Sequence, residues 1–356
     1  MKDWWNAIVV PVIAFYFIGL QYSNGPLQVA SVFKVFYLLF LSMTTASFGF
    51  YLNELTDIED DNKAGKKNFV ADLSKSLRIQ ILLAIIFLTI LSIIPFWMNK
   101  KILILFSIQI SLLTIYSCKP IRLKRHPYIA IILDSLYSGT IFFIIALLYS
   151  ESVLSPKIIL LTLAFGIFRG LRNIIFHIDK DIEIDQKAGQ KTLAHTTSSE
   201  KLYLFQSLLF IPEIISLVIL VLPTSDYTFY IFILGVIILL VKRNFYYFYA
   251  KNNFDTRKKW LSEINTIYEV WLPIAVLFGT VYIWGIKAII LSCLGLAIFF
   301  PSTYRVLHEI YLLGLNFYFV GYKIYYFISD LYFVHTKPHF DIGKWWRKLR
   351  GKNEYI

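Results

Sequence analysis

Cysteine is nearly missing from this chain: Cys118 and Cys293 are the only two, too few and too far apart for a disulfide framework or a cysteine metal cluster. Charge is scarce as well. Charged residues make up 16% of the chain against 57% hydrophobic ones, with a mean hydropathy of +0.62, more apolar surface than a soluble core needs, so the class is a polytopic membrane protein. No linker and no soluble domain stand out. The first apolar run follows Met1-Lys2-Asp3 and has no small-residue cleavage site, so it reads as a retained helix rather than a signal peptide. Acidic residues are the minority, 23 against 35 Lys plus Arg, for a net charge of +12. The basic residues lie in short loops between apolar runs, which membrane topology explains, and no nucleic-acid partner is expected.

Apolar helical runs fall at about 5–22, 27–53, 77–97, 102–117, 128–150, 157–176, 202–223, 227–249 and 264–283, which predicts an all-α bundle of nine transmembrane helices. The basic residues gather around the loops after the even-numbered runs, at Lys63 to Lys75, Lys119 to Arg125, Lys180 to Lys191 and Lys242 to Lys259, against Lys100, Lys101 and Lys157 around those after the first, third, fifth and seventh. The positive-inside rule then puts the even loops and the N-terminus in the cytoplasm, in a bacterial or archaeal plasma membrane. Residues 1–283 form the bundle in this reading. Residues 284–356 form a C-terminal helical extension whose segment 302–334 either spans or lies flat. Its basic and aromatic tail, Lys344-Trp-Trp-Arg347-Lys348-Leu-Arg350, is built to sit on anionic membrane lipid.

Against this scarcity of charge, one acidic stretch occurs twice. Asn53-Glu-Leu-Thr-Asp57-Ile-Glu-Asp-Asp61-Asn-Lys63-Ala-Gly-Lys-Lys67 is matched by His177-Ile-Asp-Lys-Asp181-Ile-Glu-Ile-Asp185-Gln-Lys187-Ala-Gly-Gln-Lys191. Residues four apart share a helix face, so each Asp-x-x-x-Asp offers two carboxylates to one point. Carboxylates that gather Mg2+, beside the ammonium groups of Lys63, Lys67, Lys187 and Lys191, describe a diphosphate site. Four runs separate the two stretches, so both emerge on the same face. Steps of four extend the first face to Asn53 and the second to His177, Asn173 and Arg169.

Other candidates carry two readings each. Arg169 and Arg172 lie inside an apolar run and must face the protein interior, where they either bond the motif carboxylates or meet the substrate. The loop Tyr116-Ser-Cys-Lys119-Pro120-Ile-Arg122-Leu-Lys124-Arg125 either sets topology or clamps phosphate through Arg122 and Lys124. Asp134 is either a hydrogen-bonded helix residue or the group that orients or deprotonates an acceptor. His177 is either a hydrogen-bonded helix-end residue or an acid/base.

The paired acidic motifs after the second and sixth of nine helices, with Tyr-Ser-x-x-Pro-x-Arg-x-Lys between them, resemble the UbiA superfamily of intramembrane prenyltransferases over residues 5 to about 283. The resemblance implies a helical bundle around a central cavity, with Mg2+ and an isoprenyl diphosphate held at its cytoplasmic mouth. Asn53, Asp57 and Asp61 match the first motif, Asp181 and Asp185 the second, and Tyr116, Arg122 and Lys124 the basic loop. The four aspartates are the implied metal ligands. The implied reaction is Mg2+-dependent ionisation of an allylic prenyl diphosphate and transfer of the prenyl group to a lipophilic or aromatic acceptor. A terpene synthase that cyclises the cation on itself is the alternative, and a divalent-cation transporter is the non-enzymatic one. The chain departs from the family pattern at Lys67-Asn68-Phe69-Val70-Ala71-Asp72, where many members have an Arg-Pro stretch, at His177, and in the extension. The Asp-Gly-x-x-Ala-Arg element of CDP-alcohol phosphotransferases is missing from the sequence.

Overall fold

The computed structural model describes residues 5–23, 25–150, 154–180, 197–249, 260–261 and 263–300, with single positions at 304, 307, 311 and 314. Among the described residues all regular structure is helical. A π turn, Trp5–Val9, leads into α1 (Val10–Ser23), followed by α2 (Ala30–Ala64), α3 (Lys75–Ile93) and α4 (Lys100–Ser117). Next come α5 (Pro127–Ser135) and α6 (Ile141–Tyr149), joined by the π turn Leu136–Thr140, then α7 (Pro156–Lys180), α8 (Ser199–Val221) and α9 (Asp226–Tyr249). A third π turn, Ile267–Trp271, opens α10 (Leu272–Trp284), and a 3-10 turn leads on to α11 (Ile289–Ile298). Each of the nine apolar runs falls on a helix. Among the described residues seven helical segments are long and apolar enough to cross a membrane, and the protein is an integral membrane protein.

α3 shows why the surface reads as lipid-facing. Its buried residues are Thr89 and Ser92, whereas Leu83, Phe87 and Ile90 are exposed. Ser92 shares a 3.0 Å hydrogen bond with Thr44 of α2, and the Thr89 hydroxyl bonds the carbonyls of Ile85 and Thr44. Small polar residues thus make the helix contact and large apolar ones face outward, the arrangement expected where the solvent is hydrocarbon. α7 approaches α5 and the turn after it through Gly166 and Gly170. A Cβ on Gly170 would lie 2.4 Å from the Ser135 backbone, and one on Gly166 would lie 2.3 Å from the Thr140 hydroxyl. Only glycine permits that approach.

α1 lies in the centre, with Val9, Val10 and every residue from Val12 to Ile18 fully buried. Gln21 near its end ties three helices together, donating to the Val276 carbonyl (3.0 Å) and accepting from Thr228 (2.8 Å). The first compact unit runs to Arg305. The start of the extension therefore belongs to the bundle rather than ending it at 283: Phe299 is fully buried, 6.1 Å from the ring of Phe17. The second unit, Val306–Ile356, has helical positions described at Leu307, Tyr311 and Gly314.

Candidate active site

α2 runs without a break from its apolar body into the first acidic stretch, so Asn53, Asp57 and Asp61 are successive members of one helical face. The helix stops at Gly65, which takes the left-handed conformation at φ 65°, and the Lys66 N–H returns to the Asp61 carbonyl at 2.9 Å. This is a Schellman ending, for which glycine carries no Cβ penalty. Asn68 then folds the chain back. Its amide nitrogen donates to an Asp61 oxygen (2.8 Å) and to the Glu54 carbonyl (2.9 Å), while its oxygen accepts from the Val70 and Ala71 N–H groups. Buried to 3% exposure, Asn68 uses the segment that departs from the family pattern to hold Asp61 in position.

The basic loop meets this face from the other side. Arg122 sits at φ 42° and ψ 59°, a left-handed backbone that costs a non-glycine residue about 1–3 kcal/mol. Its guanidinium is 3% exposed and lies 2.7 Å from an Asp57 oxygen, 2.9 Å from Asp60 and 3.1 Å from the Thr56 carbonyl. Lys124 donates to the same Asp57 oxygen at 2.5 Å and to the Asn53 side-chain oxygen at 2.8 Å. Both cations fall on Oδ1 of Asp57. Burial holds the Lys124 ammonium below the ordinary lysine range, although the Asp57 carboxylate pulls the other way. Burial likewise pushes the neighbouring Cys118 thiol up. At the rim, Arg125 approaches Asp60 (3.4 Å) and Lys119 pairs with Glu59 (3.4 Å), both of the latter pair being exposed.

Below the loop, the Tyr116 and Tyr137 rings meet edge to face at 5.1 Å. Asp134 lies beside Tyr137 and within reach of His177 and Arg169, so the candidate acid/base groups converge on the basic-loop side of the bundle. His177 is exposed.

The remaining candidates fall elsewhere. Lys63 and Lys67 are exposed. Lys67 lies over the Phe69 ring at 5.6 Å, and Lys66 is the lysine that approaches Asp61, at 3.9 Å. Arg172, expected to meet either the motif carboxylates or a substrate, is held among the described residues by other groups. It forms a two-pronged pair with Glu213 of α8 (2.6 and 2.9 Å), bonds Asn265 (2.8 Å), and is 1% exposed. A buried guanidinium takes the nearest carboxylate, and Glu213 lies inside the bundle at the same level. Arg169 donates to the Ala7 carbonyl and is held between the rings of Tyr268 (4.6 Å) and Phe143 (5.3 Å). Asp181, Asp185, Lys187 and Lys191 lie outside the described residues. Among the described residues no three metal-ligating side chains gather.

Asp60 and Asn68 were not singled out from the sequence. Asp60 is three residues from Asp57 rather than four, a spacing that shares a helix face equally well, and that signal identifies it. Asn68 carried no signal beyond its place in the anomalous segment.

The UbiA prenyltransferase family model matches residues 73–267, beginning after the first acidic stretch and covering the basic loop and the second. Among solved structures, a UbiA homologue from Archaeoglobus fulgidus bound to GPP and Mg2+ shares 15% identity over 79% of this chain and 96% of its own, with a TM-score of 0.54. A structure of digeranylgeranylglyceryl phosphate synthase in membranes shares 14% identity over 80% and 98%, with a TM-score of 0.53. At these identities the likeness is one of fold. No curated protein matches the chain. With its own residues 73–267 fitting the family model, the chain belongs to the UbiA prenyltransferase family.

Proposed function

We propose that this protein transfers a prenyl group from an allylic prenyl diphosphate to an acceptor inside the membrane, by ionising the C–O bond of the diphosphate. The observation that carries the reading is Asp57, a motif carboxylate gripped on one oxygen by Arg122 at 2.7 Å and by Lys124 at 2.5 Å. That juxtaposition of acid and base at the end of an apolar helix suits a ligand made of metal ions and a polyanion. The relative that binds GPP and Mg2+ shares the fold, which supports the same ligand class.

Asp57 and Asp61 supply hard oxygen donors that fit Mg2+, and in this reading Asp181 and Asp185 complete the set, with Asn53 beside them. Bound Mg2+ would neutralise the diphosphate oxygens as the leaving group gains charge. Arg122 and Lys124 bind and orient the same group, with Lys63, Lys67, Lys187 and Lys191 adding positive charge around the mouth. When the C–O bond breaks, its electron pair leaves with the diphosphate and an allylic cation remains. Aromatic faces such as Tyr116 and Tyr137 stabilise the cation, and the low-water interior protects it from hydrolysis. The acceptor then supplies an electron pair and loses a proton, for which Asp134 is the proposed base. The site opens to the cytoplasmic face.

The test is pyrophosphate release by purified protein. It is expected from allylic diphosphates, to depend on Mg2+, and to be lost with the saturated analogue, which forms no delocalised cation. Equal pyrophosphate release from the saturated analogue would mean that water attacks phosphorus and cleaves the ester P–O bond, with no allylic cation formed, and would overturn the ionisation reading.

A further inference from the structure

Arg122 reaches α2 through a single nitrogen. Its Nη2 lies 2.7 Å from Asp57 Oδ1, 2.9 Å from Asp60 Oδ2 and 3.1 Å from the Thr56 carbonyl. A terminal guanidinium nitrogen carries two hydrogens, so three oxygens compete for two positions. Nε adds no anchor, since it is buried without an acceptor among the described residues. The aim of this nearly inaccessible group thus depends on which of the three oxygens keep hold of Nη2.

The oxygens are not equivalent. Asp57 Oδ1 is already shared with Lys124 at 2.5 Å. Asp57 is also a proposed metal ligand, and a divalent cation beside it would compete for its oxygens and repel the guanidinium. Asp60 has no such second duty. It stands outside the step of four that links Asn53, Asp57 and Asp61, yet at three residues past Asp57 it keeps to the same side of α2. The second acidic stretch repeats the aspartates but carries Ile184 at the matching place, so the extra carboxylate belongs to the copy that Arg122 meets. Its other contact, exposed Arg125 at 3.4 Å on the same oxygen, is the longer one.

Resting on the prenyl-transfer reading, we propose that Asp60 is a positioning residue of the diphosphate clamp, holding the Arg122 guanidinium in place while Asp57 serves the metal. This role carries a sign opposite to that of simple charge. A carboxylate beside a polyanion site repels the polyanion, so by Coulomb's law alone the loss of Asp60 tightens diphosphate binding. As a positioning residue its loss weakens binding instead, because Arg122 is left with the Thr56 carbonyl and an Asp57 oxygen that other cations contest.

The experiment uses the purified full-length protein as wild type, Asp60→Ala, Asp60→Asn, Arg122→Lys and the double variant Asp60→Ala, Arg122→Lys. Calorimetry measures the Kd of inorganic pyrophosphate in excess Mg2+, and steady-state pyrophosphate release from geranyl diphosphate gives kcat and KM. Asp60→Ala is expected to raise Kd and KM about fivefold or more and to change kcat less, the pattern of lost binding shared by ground and transition states. Asp60→Asn, which keeps a neutral acceptor of the same size, should fall between it and the wild type, and it keeps the comparison open should the alanine variant not fold. In the Arg122→Lys background the loss of Asp60 should weaken binding no further, since the two act as a unit. Binding that is unchanged or tighter in the folded Asp60 variants, a loss confined to kcat, or an equal further weakening in the Arg122→Lys background overturns the positioning role. Wild-type protein that binds pyrophosphate but releases none from the allylic diphosphate would overturn the prenyl-transfer reading while the Kd series still decides on Asp60. Wild-type protein that binds no pyrophosphate would remove both.

Discussion

Arg122 reaches three oxygens of α2 from a left-handed backbone, so its conformation is maintained by charge-assisted bonds that outweigh the local strain. Arg122→Lys keeps the charge but loses the planar fork, and is expected to lower pyrophosphate release about 10- to 100-fold, since a point charge cannot span Asp57 and Asp60 at once. Lys124 has a different signature. Because burial depresses its pKa, the proton leaves at a lower pH than from a free lysine. An anionic diphosphate binds the protonated form, so affinity is complete below that pKa and falls as pH rises through it. The alkaline limb of kcat/KM should therefore begin earlier than ordinary lysine allows, and Lys124→Arg should move it to higher pH, an outcome read directly from a pH profile. At this scale the sequence disclosed Asn53, Asp57 and Asp61, because a fixed step of four is visible without coordinates. It did not disclose Asn68, whose role depends on a backbone reversal after Gly65 and on acceptors fourteen and seven residues back.

α7 is the element on which the bundle and the site depend together. One of its faces carries His177, Asn173 and Arg169, and beside it Arg172 is tied to Glu213 of α8, with both nearly inaccessible to solvent. Removing one member of such a pair strands the other charge away from water and typically costs about 3–5 kcal/mol, whereas replacing both with apolar side chains is often close to neutral. Glu213→Ala is thus expected to lower the melting temperature in detergent sharply, and the double variant Arg172→Met, Glu213→Leu to regain most of it. If Arg172 served a diphosphate instead, the double variant would be stable but devoid of turnover, and activity of the refolded double variant separates the two. Hydrophobic periodicity made α7 legible as a helix, and the cost of burying charge made both arginines legible as interior residues. Which carboxylate each would face was not legible, because Glu213 lies in another apolar run and the meeting is set by how α7 and α8 pack. The π turns at Leu136–Thr140 and Ile267–Trp271 were hidden for a similar reason, since a single extra residue in a turn leaves the apolar pattern on either side unchanged.

Over the whole molecule, the acidic mouth and the charge asymmetry of the loops require the same arrangement. The end of α2 and the loop after α4 must share a face, because Arg122 and Lys124 of the loop reach Asp57 and Asn53 of the helix. The C-terminal end of α7 faces the same way, with His177 within reach of Asp134. Our proposal that this face is the cytoplasmic one rests on the loop charges: the loops that meet at the site are basic, and basic loops are retained on the cytoplasmic side during insertion. The apolar count and the nine runs were readable before any coordinates, since both follow from transfer free energy. The boundary at 283 was not, because Phe299 joins the bundle through packing that composition does not encode. Reporter fusions after residues 70, 125, 190 and 255 are therefore expected to read cytoplasmic, and fusions near 99, 153 and 224 external. Two sites carry the discrimination. Position 70 follows the first acidic stretch and position 190 lies in the second, with four crossings between them, and only an even number of crossings brings both stretches to one diphosphate. A reporter pattern with 70 and 190 on opposite sides would separate the two aspartate pairs by the thickness of the bilayer, about 30 Å, and no single substrate headgroup spans that distance.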